Sequence, residues 1–359
     1  LRSQAYPELF PAAPSDIWFH DRAGAPALLA SEIAAGLNVT GGAPGAIFEI
    51  DDVFVVPGPK SACLYDKDGR RIDESCVVRG AERAVEYVES DRERIVIPDH
   101  YATVAEPVLF LSTYFKHWGH FLTESTSRLW ARSAHPELRE LPVCFADFTR
   151  KHQANANAAA FLASLSAPPL RFIEPTGPAR IAKCFVPAAS FVNRRSARAA
   201  HLFAAREVAE TSLGAARAGT TAQPVYLSRS RLAIANRAIG NERELEEILA
   251  KAGVAIVHPQ ELTLAEQIAV FNRHKTFIGC IGSAFHNTVF ALKGGDVTTH
   301  VLSQRWRNQN YLMLDAIVGN RANYLSALRR ASPSSVTSGV EFQIDMPMAI
   351  AYFREAGMI

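Results

Sequence analysis

The stretch from Val225 to Phe290, VYLSRSRLAIANRAIGNERELEEILAKAGVAIVHPQELTLAEQIAVFNRHKTFIGCIGSAFHNTVF, spells strand, helix, strand, helix, strand, helix. Val225 to Ser228 is a short apolar run suited to a buried strand. Asn241 to Ala252 follows with Leu245, Ile248, Leu249 and Ala252 on one helical face. Asn241 and Glu244 have the spacing of an N-cap and its reciprocal acid, and Gly253 stands where a helix should stop. Val254 to His258 is the next strand; Thr263 and Glu266 repeat the capping pattern and open a helix with Leu264, Ile268 and Phe271 inward. Thr276 to Ile281 is a third strand, and Gly282-Ser283 marks its junction with a helix running through Leu292. A strand-to-helix junction of this kind presents free backbone N–H groups at a positive dipole end, where α/β sheets receive phosphate-bearing ligands. Arg229, Arg231 and Arg237 lie just after the first strand. The stretch reads as half of a nucleotide-handling enzyme.

Working outward, Val297 to Leu302 adds a strand, and a tail from Ser332 ends in a helical pattern, MPMAIAYFREAG. Upstream, residues 214 to 223 (GAARAGTTAQ) have linker composition. Residues 91–215 alternate buried strands (Pro107–Leu111, Leu141–Phe145, Leu170–Glu174, Ile181–Pro187) with helices expected at His120–Ser133, Asn155–Leu165 and Ser196–Leu213. Residues 1–90 are β-rich: Ala46–Pro57 is strand-like with a turn signal at Asp51-Asp52, and Cys63–Val78 reads as a hairpin around Asp68-Gly69. The expected domains are therefore 1–90, a β-rich extension packed on the first domain; 91–215, a first α/β domain; 224–330, a second; and 331–359, a helix crossing back to the first. Repeated β-α units with short loops call for parallel sheets flanked by helices.

The 359 residues suffice for two ordinary domains with full cores, and 48% of them are apolar. A formal charge of +2 gives no case for nucleic-acid binding, although local basic patches remain available to phosphates or an anionic membrane. The five cysteines are far apart, odd in number and lack a CxxC pair, which suits free thiols in a reducing compartment better than a metal site or disulfide framework. No apolar run reaches membrane-spanning length and no signal peptide is visible. The expectation is a cytoplasmic protein, with peripheral docking at the inner membrane face. The opening residue is Leu1 rather than Met, as in a trimmed chain.

The long stretch quoted above resembles the C-terminal half of glycosyltransferase family 61. The resemblance is carried by Ser228, Arg229, Arg237, Asn241, Glu242, Glu261, Leu262, Glu266, Gln267, Gly282, Ser283, Phe285 and Asn287. Upstream, HWGHFLTESTSRLW is similar to the family's His-Phe-Leu-x-Glu element through His120, Phe121, Leu122, Glu124, Arg128 and Leu129. Many members carry His just before the junction glycine, where this chain has Ile281; His286 is the neighbour that would fill the role. The resemblance implies a GT-B-like architecture, two Rossmann-like domains facing a cleft, with the donor bound mostly by the C-terminal one. It implies inverting transfer from a nucleotide-diphosphate sugar, UDP being the commonest nucleotide, to a glycan or lipid-linked glycan in surface or capsular polysaccharide synthesis, with no cofactor and no metal.

Inverting transfer needs a base for the acceptor hydroxyl and positive charge for the leaving diphosphate. His120 and Glu124, four residues apart, share a helical face, so either acts alone or the carboxylate orients the imidazole; His117 is a third candidate. Ser228, Arg229, Arg237, Glu266, Gly282, Ser283 and Asn287 are the donor-binding candidates. Glu266 is equally read as a cap, and Asn287 as a tie to a neighbouring loop. Trp118, Trp130 and Trp306 offer stacking faces, and Arg305 and Arg307 a basic rim. Two other classes compete: a nucleotide- or glycan-binding protein of the same fold that has lost catalysis, for which Ile281 speaks, and a hydrolase, which needs a second carboxylate paired with Glu124 that no spacing suggests.

Overall fold

The computed structural model describes residues 17–20, 27–28, 38–40, 45–58, 60–80, 85–146, 155–165, 168–214, 219–232, 238–292, 296–304, 309–331 and 340–359. The chain is mixed α/β with several sheets and falls into two compact units, one drawn mainly from residues 37–212 and the other from 13–36 with 213–359.

The first unit is built on an eight-stranded sheet. Its parallel part runs Phe172–Ile173, Val143–Phe145, Val108–Ser112, Ala179–Pro187, which in chain order is 3-2-1-4. Such an order reverses between the first and fourth strands, the place where open α/β sheets leave a crevice. The Ala179–Pro187 strand then pairs antiparallel with Ile47–Val55, which leads into the hairpin Leu64–Tyr65 and Arg71–Ile72 around Gly69 (φ +74°). The turn expected at Asp51-Asp52 is instead a kink in one unbroken strand. Asp52 takes the left-handed conformation (φ +55°), tolerated by a short polar side chain, and pairs with Arg180 across the ladder. Val53, Val108, Phe110, Cys144, Ile181 and Cys184 are buried together on this sheet.

The helix expected over His120–Ser133 is not continuous. It begins at Trp118–His120, widens into a π-helical turn at Phe121–Ser125, and resumes only at Trp130–Ala134. The run Thr123-Glu-Ser-Thr-Ser127 explains the interruption. Thr123 Oγ1 donates to Gly119 O (3.0 Å), Thr126 Oγ1 to Leu122 O (2.8 Å) and Ser127 Oγ to Glu124 O (2.7 Å), so hydroxyls compete for helix carbonyls. Likewise Ser196–Leu213 is not one helix. Ser196–Arg198 is a strand between Phe191–Val192 and Asn38–Thr40, and the α-helix starts at Leu202, because sheet pairing overrides the helical propensity of this alanine-rich run.

The second unit is built on a seven-stranded sheet ordered Ala255–Val257, Val225–Leu227, Thr276–Cys280, Thr298–Leu302, Arg321–Leu325, Ile17–His20, Ala27–Leu28. All pairs are parallel except the last. The first five strands have the doubly wound order 2-1-3-4-5, whose reversal falls between Val225–Leu227 and Thr276–Cys280. Two expectations are corrected here. The strand Ile17–His20 lies in this second sheet rather than in an N-terminal layer on the first domain, held along Ala322–Leu325. The helix Met346–Glu355, expected to cross back, buries Ala349 and Phe353 in the core of its own unit with Tyr226, Leu245 and Ile278.

Local signals explain the second unit's helices. Thr263 and Glu266 form the capping box of Leu264–Arg273. Gly253 ends Glu242–Lys251 at φ +88°, a conformation that favours glycine. Asn241 flanks that helix but does not cap it. Its amide donates to Ile344 O (2.9 Å) and its carbonyl accepts from Ile344 N (2.8 Å), clamping the strand Val340–Ile344.

Candidate active site

In the first unit a buried carboxylate organises the site. Glu124 lies on the π-helical turn with its side chain 1% exposed, so it touches protein rather than solvent. Arg79, on the strand Val77–Gly80, grips it with both ends of its fork: Nε to Oε1 at 2.7 Å and Nη2 to Oε2 at 2.8 Å. His120 Nδ1 lies 2.6 Å from Oε2. Burial raises the cost of ionising Glu124, but the hydrogen bonds from His120 and Arg79 outweigh it and hold the carboxyl below its ordinary pKa. An ionised carboxylate only accepts, so the proton between the two groups sits on His120 Nδ1. The 3.3 Å approach of Arg79 Nη2 to the same nitrogen is then a contact between two donors, not a hydrogen bond. Nε2 is left as the basic position of a ring whose side chain is 41% exposed. Phe115 and His117 flank that ring with centroids 5.9 and 5.2 Å away.

Behind this group sits Arg128. It is buried and, among the described residues, binds no carboxylate; its guanidinium donates to Pro187 O (2.9 Å), Glu74 O (2.9 Å) and Cys76 O (2.8 Å). Burial lowers its pKa to about 10. By holding Cys76 O it fixes the start of the strand that carries Arg79 to the helix segment that carries Glu124.

In the second unit the candidates gather where the strand order reverses. Arg229 follows Val225–Leu227, and Gly282 follows Thr276–Cys280, the adjacent strand. Arg229 Nη1 donates to Ile281 O at 3.2 Å, and a Cβ on Gly282 would lie 3.4 Å from the same nitrogen. The guanidinium thus lies across the opening of the helical segment Ser283–Phe290. That segment is a 3-10 helix rather than the α-helix expected, and Gly282 enters it in extended conformation (φ −177°). Its first N–H groups still have no carbonyl before them to bind, as at any helix start. The Arg229 backbone is fixed by Glu242, 1% exposed, whose Oε1 accepts from Arg229 N (3.1 Å) and from the Tyr226 hydroxyl (3.1 Å). Burial pushes Glu242 up to about pKa 7, against those hydrogen bonds.

A guanidinium beside a helix start, at the reversal point of a parallel sheet, is an arrangement chemically suited to an anion. The family model for Glycosyltransferase 61 matches residues 118–299, just over half of the chain, a span that holds His120, Glu124, Arg229 and Gly282 but not Arg79. The chain belongs to glycosyltransferase family 61. No curated protein matches it.

Within this glycosyltransferase the residues singled out from sequence take different places. His120 and Glu124 are in direct contact, as are Arg229 and Ile281 beside Gly282 and the half-buried Ser283. Ser228 is buried and its hydroxyl donates to Glu246 Oε1 (2.5 Å), shaping the loop from within. Glu266 serves its cap, accepting from Thr263 N and Oγ1, both at 2.8 Å. Asn287 is wholly buried and donates to Gln267 Oε1 (2.7 Å), tying the 3-10 segment to the neighbouring helix. His286 is buried, stacked on Tyr311, and so does not take the surface place of a histidine at position 281. Arg237 and the Arg305-Trp306-Arg307 run lie outside the described residues. Trp118 stacks on Phe121, and Trp130 is core, donating to Ala188 O. Arg231 is in an exposed pair with Glu261. Sequence reasoning missed Arg79 and the fixing role of Glu242; Arg79 sits 45 positions from its partner, with only a lone charge in an apolar strand to mark it.

Proposed function

We propose that this glycosyltransferase transfers a sugar, with inversion at its anomeric carbon, from a nucleoside-diphosphate donor to a hydroxyl of a glycan acceptor. His120 Nε2 takes the acceptor proton as the oxygen attacks; the bond from the anomeric carbon to the diphosphate oxygen breaks, and the diphosphate leaves. Glu124 fixes the imidazole tautomer and stabilises the imidazolium, and Arg79 holds Glu124 ionised. The leaving diphosphate rests against Arg229 and the amides at 282–284, which supply positive charge without a metal. The single observation that supports this most is the contact of buried Glu124 with His120 Nδ1, which leaves Nε2 as the base. It favours His120 over Glu124 as proton acceptor, because a side chain 1% exposed offers a substrate little access.

UDP as nucleotide, a GT-B-like architecture, and a surface-polysaccharide acceptor presented on a lipid carrier at the inner membrane face belong to the same proposal, on the strength of family membership. Among the described residues no helix is long and apolar enough to cross a membrane. The test is product release from UDP-sugars with and without EDTA, combined with NMR of the product anomer. The proposal expects EDTA-insensitive turnover and an inverted anomer; a retained anomer, or full activity in His120→Ala, overturns it. Ile281 favours a second reading, a binding protein without turnover. Nucleotide binding with neither transfer nor donor hydrolysis across the panel would select it.

A further inference from the structure

The cysteines that look scattered in the sequence are not scattered in the fold. Cys63 immediately precedes Leu64–Tyr65, which pairs with Arg71–Ile72, and the turn Asp73–Ser75 that follows brings the chain back. Leu64 N donates to Ser75 Oγ at 2.8 Å, so the neighbours of the two cysteines are bonded to each other. Cys63 and Cys76 share one small buried cluster with Phe54 and Tyr65, where the Cys76 thiol donates to Ile72 O at 3.7 Å and each thiol acts electrostatically on the other.

We propose that Cys63 and Cys76 are an oxidisable dithiol pair that closes to an intramolecular disulfide with a hydroperoxide as oxidant. The two thiols differ in character. The Cys63 thiol lowers the pKa of Cys76 despite burial, helped by Ser90 and by the guanidinium of Arg71. Arg71 is itself held over the Tyr87 ring, 3.7 Å from its centroid, and by Ser90 O (2.9 Å). Cys63 is driven the other way. Cys76 is therefore the attacking sulfur. Its thiolate displaces hydroxide from the peroxide, forming an S–O bond as the O–O bond breaks. The Cys63 sulfur then gives up its proton and displaces the sulfenic oxygen as water. Two thiols lose two electrons, and one hydrogen peroxide becomes two waters. The inference is independent of the proposed transfer chemistry.

The experiment exposes the folded full-length chain to equimolar hydrogen peroxide, then denatures it in alkylating reagent and maps its peptides by mass spectrometry. The expected result is loss of two of the five thiols, a mass decrease of about 2 Da from the two hydrogens removed, one cross-linked peptide joining positions 63 and 76, and reversal by dithiothreitol. Cys63→Ser should leave Cys76 as a sulfenic acid trapped by dimedone, with no cross-link. Retention of all five thiols, or a cross-link through Cys144, Cys184 or Cys280, overturns the proposal. The wild-type peptide map decides the matter even if the serine variant folds poorly.

Discussion

Nδ1 of His120 lies 2.6 Å from Oε2 of Glu124, and the other face of that carboxylate is occupied by Arg79. The carboxylate thus has no approach for a substrate, while the imidazole keeps its far nitrogen available. In the proposed reaction this separates the group that meets the acceptor from the group that sets its tautomer.

Replacing His120 by Ala should lower kcat/KM by about 10²–10⁴-fold, the usual worth of a positioned base, while leaving nucleotide affinity unchanged in calorimetry. Glu124→Gln should lower kcat with little change in KM. Equal loss of donor affinity in both variants would place the pair in donor binding instead.

Glu124 also ties stability to acid. Its folded pKa is depressed, so its contribution is present above the unfolded carboxylate value and is lost as pH falls through the folded one. Urea unfolding of wild type and Glu124→Gln should therefore differ most at neutral pH, and the difference should begin to shrink below about pH 4, where an ordinary Glu takes its proton, and vanish only at still lower pH.

Glu242 has the opposite sign. Its folded pKa is raised from 4.5 to about 7, so the protonated acid suits the fold and stability declines as pH rises from 4.5 to 7. The decline is at most about 3 kcal/mol at 1.36 kcal/mol per pKa unit. Glu242→Gln keeps an oxygen for Arg229 N and the Tyr226 hydroxyl without a charge. It should remove this slope and match or exceed wild-type stability at pH 8; a steeper slope in the variant would contradict the assignment.

Two glycines should respond differently to Ala. At Gly282 the added Cβ meets the end of a flexible arginine at 3.4 Å, and the backbone is extended, so stability should change by less than about 1 kcal/mol. Donor affinity should weaken about tenfold, a loss near 1.4 kcal/mol as the guanidinium shifts. At Gly279 the Cβ would lie 2.9 Å from Leu227 O, a backbone atom that cannot swing aside. Gly279→Ala should cost about 1–3 kcal/mol in denaturant unfolding.

Arg128→Met removes the donors of three carbonyls, two of them in buried bonds, and should cost about 2 kcal/mol or more, since each unsatisfied buried group forfeits about 1–3 kcal/mol. Chemical denaturation measures it, and a loss under about 1 kcal/mol would show that water replaces the guanidinium.

The second unit was more legible than the first because its signals are local. Thr263 with Glu266, Gly253 after its helix, and three apolar runs at even spacing each act within a few residues. The Asn241 spacing pointed to a helix start, yet the side chain went to Ile344, more than a hundred positions away. In the candidate site, His120 with Glu124 was legible because four residues separate them. Arg79 was not, since nothing near it reports a partner in a later helix. The π-helical turn was equally hidden: its hydroxyl-rich run reads as ordinary helix until the carbonyls it takes are known.

The strand Ile17–His20 lies between Ala27–Leu28 and Arg321–Leu325, with His20 Nε2 3.2 Å from Asn323 Oδ1, across 303 positions of chain. During synthesis this early segment emerges long before the neighbour it will lie against. The second sheet therefore closes only after Arg321–Leu325 has been made, and a fragment cut at residue 213 would leave Arg321–Leu325 as a bare edge open to self-association.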